Sequence, residues 1–317
     1  MRPIILFAAV CLYSTPAAAQ CDSMVVTLLG TGTPNPRVDR LGPSILVEAG
    51  RHRLLFDAGR GTAIRLEEAG VRTASVTAVF ITHHHSDHTS GIPDVWLTGW
   101  LPSFGGRKTP FRLIGPAGTA ELARGLSIAF AEDVRFRVAE EKLPREGAQI
   151  TAAEFRGDTV VFDDGGVQVA AFEVDHGGAL RPAYGYRIGC GGHAVVVSGD
   201  TRYSGNLVRA AKGADVIVHE VAMAPAEIMG EPTVQFILGH HTSPADAARV
   251  FEATQPRLAV FTHFAFPPNR VSARRVLPVD VLAEARKLYR GRMEAGEDLM
   301  RIVIGDSIRV DRRARAH

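Results

Sequence analysis

The stretch VFITHHHSDHTSGI (residues 79–92) packs four histidines and one aspartate into positions 83–88. It begins as a short apolar run, so the polar cluster falls at the end of a predicted strand. In an extended segment residues two apart share a face. His83 and His85 can therefore converge on one point, while His84 turns away. Asp87 and His88 follow as the chain turns and can aim at a second point close by. Imidazole and carboxylate together suit zinc, and also manganese or iron. A purely structural histidine loop is the competing reading, but a strand ending in His-x-His-x-Asp-His favours metal.

Outward from this cluster, apolar runs of β type recur, bounded by Gly, Pro and Asp. They cover 24–30, 44–50, 52–59 and 78–83, then 167–174, 183–189, 194–200, 215–222 and 257–263. Helical patterns lie between them at 61–69, 118–131, 244–254 and 278–291. The third opens with Ser243 as N-cap and Pro244 at the first helical position. Such intermixing predicts an α/β (α+β) chain rather than an all-β one. Asp57, His83, Asp200, His219 and His263 each fall at or just past a strand end, where sites are assembled on a rigid scaffold. For Asp200 and His263 a turn or capping role is the alternative, and His176 taken alone reads as structural.

Residues 1–19 have the pattern of a signal peptide: Arg2, an apolar run over 4–13, and Ala17-Ala18-Ala19. That run is shorter than the roughly 20 residues that span a bilayer. The expectation is an exported protein, periplasmic or secreted, whose residues 20–317 form a single domain. A formal net charge of +2 gives no electrostatic footprint for wrapping nucleic acid, and the basic end RVDRRARAH reads as a solvated tail. Beyond residue 20 only Cys21 and Cys190 remain. They could form one disulfide in an oxidising compartment, although the sequence does not show that they meet. No cysteine spacing suits a thiolate zinc site, so His and carboxylate must hold any metal.

His83-x-His85-x-Asp87-His88 resembles the signature of the metallo-β-lactamase-fold hydrolases. The rest of the chain is similar, in order, to the branch containing ribonuclease Z and its phosphodiesterase- and arylsulfatase-like relatives. LLGTGTPNP (28–36) resembles the branch's opening glycine loop and LLFDAGRGT (54–62) its next strand and turn. VDHGGALRPAYGYRI (174–188) is similar to the segment of the third histidine, and VVVSGDT (195–201) to that of a bridging aspartate. DVIVHEVA (215–222) resembles the His-Glu strand and FTHF (261–264) the last ligand.

The resemblance implies a four-layer αββα sandwich with two divalent metals, zinc or else manganese or iron, at one edge between the sheets. One metal would lie on His83, His85 and His176, the other on Asp87, His88 and His263, with Asp200 bridging. Two cations about 3.5–4 Å apart can hold a hydroxide between them and stabilise both the attacking and the leaving oxygen. Asp87 is thereby placed among the catalytic groups, together with Glu220 and His241. The latter two match a Glu–His pair in which the imidazole protonates the leaving oxygen or grips the scissile group; His240 is the alternative to His241. His219 is expected to be structural and Asp57 to anchor ligand loops. Tyr203 occupies a position where lactonases of the same fold have a tyrosine that could contact a substrate oxygen.

The pattern also departs from the family. Ribonuclease Z proper has a long Gly/Lys-rich arm that grips tRNA, whereas here only GCGGHAVVVSG separates Ile188 from Asp200. The Pro-x-Lys-x-Arg-Asn segment of the tRNA enzymes is not matched by PNPRVDRLG (34–42). Both argue against a nucleic-acid partner and for a small-molecule ester. Segments 94–106 and 223–238 are expected to flank the pocket, with Trp96, Trp100, Phe104, Met223, Met229 and Phe236 suited to an aryl or apolar group. Packing onto the scaffold, or a homodimer contact, is the alternative for them. The leading expectation is an exported dinuclear phosphodiesterase, followed by an arylsulfatase. A lactonase or β-lactamase-type hydrolase comes next, and a non-catalytic metal-binding protein is the alternative from another class.

Overall fold

Strands buried on both faces read as unbroken apolar runs, and those runs form the centre of this molecule. A computed structural model describes residues 21–271 and 274–312. The expected signal peptide lies outside them, as does the end of the basic tail. The chain opens with β1 (Met24–Gly30), β2 (Ser44–Ala49), β3 (His52–Phe56), α1 (Thr62–Glu68) and β4 (Ala78–Phe80). Next come α2 (Ser86–Thr89), α3 (Ile92–Trp100), β5 (Phe111–Gly115), α4 (Thr119–Ala129), α5 (Ala131–Glu140) and β6 (Ile150–Glu154). Then follow β7 (Thr159–Asp164), β8 (Val167–Val174), β9 (Ala183–Cys190), β10 (His193–Val197), α6 (Gly205–Ala211) and β11 (Val216–Ala222). The remainder is α7 (Pro232–Leu238), α8 (Pro244–Thr254), β12 (Leu258–Ala265), α9 (Pro278–Ala285), β13 (Met293–Ala295), β14 (Arg301–Ile304) and β15 (Ile308–Asp311).

The strands form an eight-stranded sheet, β15-β14-β1-β2-β3-β4-β5-β6, and a seven-stranded sheet, β13-β12-β11-β10-β9-β8-β7. Each contains a parallel run, β3 to β6 in the first and β10 to β13 in the second. Residues of both sheets, among them Leu28, Phe56, Phe80, Tyr186, Val197 and Val260, share one buried cluster between them. A second cluster packs α6, α8 and α9 on the outer face of the seven-stranded sheet. A third packs α1, α3 and α4 on the outer face of the other. Helix, sheet, sheet and helix make the expected αββα sandwich.

The predicted β-runs all appear as strands. Of the predicted helices, the last is shorter than its pattern, ending at Ala285. Strands β5, β6, β7 and β13 to β15 and helices α2, α3, α5, α6 and α7 are additions. The antiparallel β9 and β10 meet through Gly191 and Gly192, at φ +58° and +86°, the positive-φ pair that a two-residue hairpin turn favours. At this turn Cys190 is disulfide-bonded to Cys21, with Cα atoms 5.6 Å apart, which closes the question the two cysteines left open.

One expectation fails. Residues 92–100 form a helix whose buried positions are Ile92, Val95, Trp96, Gly99 and Trp100. Trp96 and Trp100 are each 1 % exposed. Trp96 packs edge-on against Phe130 in the outer-face cluster. Trp100 lies with Leu143 and Ala148 and donates from Nε1 to the Pro144 carbonyl at 2.9 Å. Trp96 holds α3 to the sheet and Trp100 holds α3 against α5 and the segment before β6, so neither is available to a substrate.

Candidate metal centre

The parallel strands deliver their chemistry at their C-terminal ends, where open α/β sheets collect ligands. Past β4, Asp57 organises the turn from φ +58°. Its carboxylate accepts from Thr82 N at 2.8 Å, Thr82 Oγ1 at 2.8 Å and His88 Nδ1 at 2.7 Å. It thus anchors the ligand loop, as expected. His83 and His85 converge, with Nε2 of one 2.9 Å from Nδ1 of the other. His84 turns away to the Ala117 carbonyl at 3.1 Å.

From the other sheet, Asp200 follows Gly199, which sits at φ +61°; a Cβ there would stand 2.3 Å from the Tyr184 carbonyl oxygen. His263 lies inside β12 at φ +43°, where the pairing with β11 slips between Glu220 and Val221. Such a bulge re-aims a side chain out of strand alternation. It brings His263 Nε2 to 3.3 Å from both Asp87 Oδ2 and Asp200 Oδ2. His176 is held through Nδ1 by the His240 carbonyl at 2.8 Å, leaving Nε2 facing His85 Nδ1 at 3.4 Å.

Asp200 is the hub. Its Oδ2 lies 3.9 Å from His83 Nε2, 3.7 Å from His176 Nε2, 3.4 Å from His88 Nε2 and 3.3 Å from His263 Nε2. One atom from each of His83, His85, His176 and Asp200 falls within 4.8 Å of the others, and the same holds for Asp87, His88 and His263. The expected ligands thus assemble as two groups sharing one carboxylate.

The electrostatics fit cations there. Burial, reinforced by His88, holds His83 well below the usual imidazole range, and burial also lowers His85 and His176. Neutral imidazoles are what metal ligation requires. Burial opposes charge on Asp200, yet His263 and His88 keep its carboxyl well below the usual range. His88 is pushed well up, because Asp200, Asp57 and Asp87 outweigh its burial. The buried Nε2 of His88 has no hydrogen-bond partner among the described residues, although it lies 3.5 Å from Asp87 Oδ2 and 3.4 Å from Asp200 Oδ2. Buried carboxylates clustered this closely need compensating positive charge, and divalent cations would supply it.

Beside the hub, His241 Nδ1 meets Glu220 Oε2 at 3.0 Å and stands 4.0 Å from Asp200 Oδ2. Glu220 also accepts from Thr242 N at 2.7 Å. Burial works against charge on the His241 ring, but the charge and hydrogen bond of Glu220 raise it to about 9. His240 instead faces the Phe236 carbonyl at 2.6 Å, so His241 is the site residue. His219 is fully buried and packs edge-on against Phe251, in a structural role. Tyr203 is 48 % exposed beyond Asp200 and does not join the packed groups.

Residues 52–264 match the β-lactamase superfamily domain. Over 282 residues the chain is 35 % identical to ribonuclease Z of Mycobacterium bovis (strain BCG / Pasteur 1173P2), covering 88 % of this chain and 98 % of the relative. This chain belongs to the metallo-β-lactamase-fold hydrolases. Within them it is ribonuclease Z-like. The fold is shared with YhfI of Bacillus subtilis (TM-score 0.69, 18 % identity, 89 % of this chain and 100 % of that one). It is shared too with the short form of human tRNase Z (TM-score 0.61, 23 % identity, 89 % and 98 %). The metallo-β-lactamase fold implies divalent metals, and the two ligand groups are where this member of the family could hold them.

Sequence reading missed one residue that shapes this hydrolase's site. Asp298 Oδ1 accepts from Thr31 N at 2.9 Å and Thr31 Oγ1 at 2.8 Å, and Oδ2 accepts from Leu41 N at 2.7 Å. It pins both ends of the glycine loop after β1, next to β12 and His263.

Proposed function

We propose that this chain is an exported phosphodiesterase acting on small molecules at a centre of two divalent cations, zinc or manganese. The observation that carries the reading is the placement of Asp200 Oδ2 between the two ligand groups, within 3.3 to 3.9 Å of four imidazole nitrogens. His83, His85 and His176 would hold one cation and Asp87, His88 and His263 the other, with Asp200 serving both. Bound there, the cations supply Lewis acidity and lower the pKa of water. The chain's own residues do the rest. Asp57 and the His240 carbonyl fix His88 and His176 through Nδ1, which settles the tautomer and aim of each ring. His241 carries a proton toward the leaving oxygen, and Glu220 keeps that ring oriented and charged.

A ribonuclease breaks phosphodiester bonds, so the ribonuclease Z relative supports that bond as the target. The Gly191-Gly192 turn joins β9 to β10 directly, leaving no room there for a tRNA-gripping arm, which favours a small substrate. Export is supported by the Cys21–Cys190 disulfide, a bond at home in an oxidising compartment. The test uses residues 20–317 loaded with zinc or manganese, assayed on bis(4-nitrophenyl) phosphate beside Asp200→Ala. Turnover with two metals per chain, both lost in the variant, is expected. Full metal content without turnover of any phosphodiester would overturn the reading.

A further inference from the structure

We propose that the cavity beside His263 is a substrate subsite for a flat, apolar group bearing a negative charge, carried on one ester arm of the substrate. The proposal rests on the phosphodiester reading for what is cleaved, but the cavity argues for its occupant independently. Phe264 follows His263 directly, donates its N–H to the Thr31 carbonyl at 3.3 Å and forms part of the cavity wall. The cavity wall thus includes the residue that follows His263 in β12, together with Gly32 and Thr33 of the glycine loop.

Its volume is about 320 Å3, at the low end of the roughly 300–1,000 Å3 typical of small-ligand pockets. That suits one substituted ring rather than a polymer. Phe264 and Phe266 line it with centroids 5.5 Å apart and planes at 52°, and Leu277 adds apolar surface. Arg37, Arg40 and Arg275 line it too, and among the described residues no aspartate or glutamate does.

The three arginines are differently committed. Arg37 pairs with Asp39 through Nε and Nη2, at 2.9 and 2.7 Å, leaving Nη1 without a hydrogen bond among the described residues. Arg40 lies 4.5 Å over the Phe264 ring and gives Nη1 to Thr31 Oγ1 at 2.6 Å and the Gly296 carbonyl at 2.8 Å. Its direct acceptors are thus neutral. Arg275 is exposed and forms no ion pair among the described residues. Guanidinium groups over aromatic faces, with donors to spare, recognise oxyanions on flat rings, the planar carboxylate and the tetrahedral sulfonate alike.

The test begins with binding that needs no catalysis. Calorimetric titration of the metal-loaded chain with 4-nitrobenzenesulfonate should show one saturable site. Arg37→Ala and Arg275→Ala should each weaken it about tenfold, the loss of one charge-assisted hydrogen bond, while Arg124→Ala on α4 should not. Absence of a saturable site, or equal affinity in all variants, would overturn the proposal. The second arm compares (4-carboxyphenyl) 4-nitrophenyl phosphate with phenyl 4-nitrophenyl phosphate. A lower KM for the carboxylate ester, with the preference lost in Arg275→Ala, supports the subsite; equal KM values overturn it. Sulfonate binding with no turnover of either ester would count against the phosphodiesterase reading while supporting the subsite.

Discussion

His241 and Glu220 form a buried pair whose job can be separated from that of the metal ligands. The Glu220 side chain is 1 % exposed and that of His241 is 13 % exposed, so the imidazole reaches the site while its partner does not. A group that protonates a leaving oxygen matters in proportion to how basic that oxygen is. His241→Ala should therefore lower kcat by about 10²- to 10⁴-fold on alkyl phosphodiesters, the usual range for general acid catalysis, and far less when 4-nitrophenolate departs. Glu220→Gln keeps the shape and removes the charge, so it should move kcat in the same direction by a smaller factor. A plot of log kcat against leaving-group pKa decides this. Equal loss on every leaving group would mean that His241 only positions the substrate. At this scale the sequence was readable where local geometry sufficed, as in the alternation of His83 and His85. His263 needed a bulge between two strands, which no local pattern encodes. The error at Trp96 and Trp100 had a local remedy, because 92, 95, 96, 99 and 100 follow the spacing of a helix face against a sheet.

Among the elements, the glycine loop after β1 is the one whose placement rests on a distant residue. Asp298 sits 267 positions from Thr31 in sequence and also accepts from Arg65 Nε and Nη2 of α1, at 3.3 and 3.1 Å. One carboxylate thereby ties loop, helix and the segment before β14, and its side chain is 5 % exposed. Asp298→Ala would leave two backbone N–H groups without their acceptor and take from Arg65 one of its two carboxylate partners, Glu68 remaining. Removing one partner of a buried ion pair costs about 3–5 kcal/mol, so the urea midpoint should fall markedly while the slope stays constant. Asp298→Asn keeps one acceptor oxygen and should fall less. Unchanged midpoints in both would show that the loop stands without its anchor. The same long range explains what else escaped the sequence reading. β14 pairs antiparallel with β1, joining Ile304 to Met24, so a four-residue strand near the end of the chain takes its register from the beginning. β6 and β7 lie at sheet edges with mostly exposed or half-exposed side chains, and without a buried face they have little apolar pattern to read.

For the whole molecule, the candidate centre lies across the seam of the sandwich. His83, His85, Asp87 and His88 come from the segment after β4 in the eight-stranded sheet, while His176, Asp200 and His263 come from the seven-stranded sheet's strands and loops. The core between the sheets is apolar, but at this edge Asp57, Asp87 and Asp200 are all buried among the histidines. Cations that bind only the folded chain stabilise it by mass action, about 2.7 kcal/mol at a free concentration 100 times Kd. Because the ligands bridge both sheets, the gain should reach both. Zinc loading should raise the thermal midpoint relative to chelator-treated protein by several degrees. The shift should be the same in far-ultraviolet dichroism, which sees both sheets, and in the fluorescence of Trp96 and Trp100, which lie on the outer face of one. His84→Ala should keep the shift, since that ring faces the Ala117 carbonyl, and Asp200→Ala should lose it. A midpoint indifferent to metal, or a shift in dichroism with none in tryptophan fluorescence, would mean that the two halves are not closed through this centre.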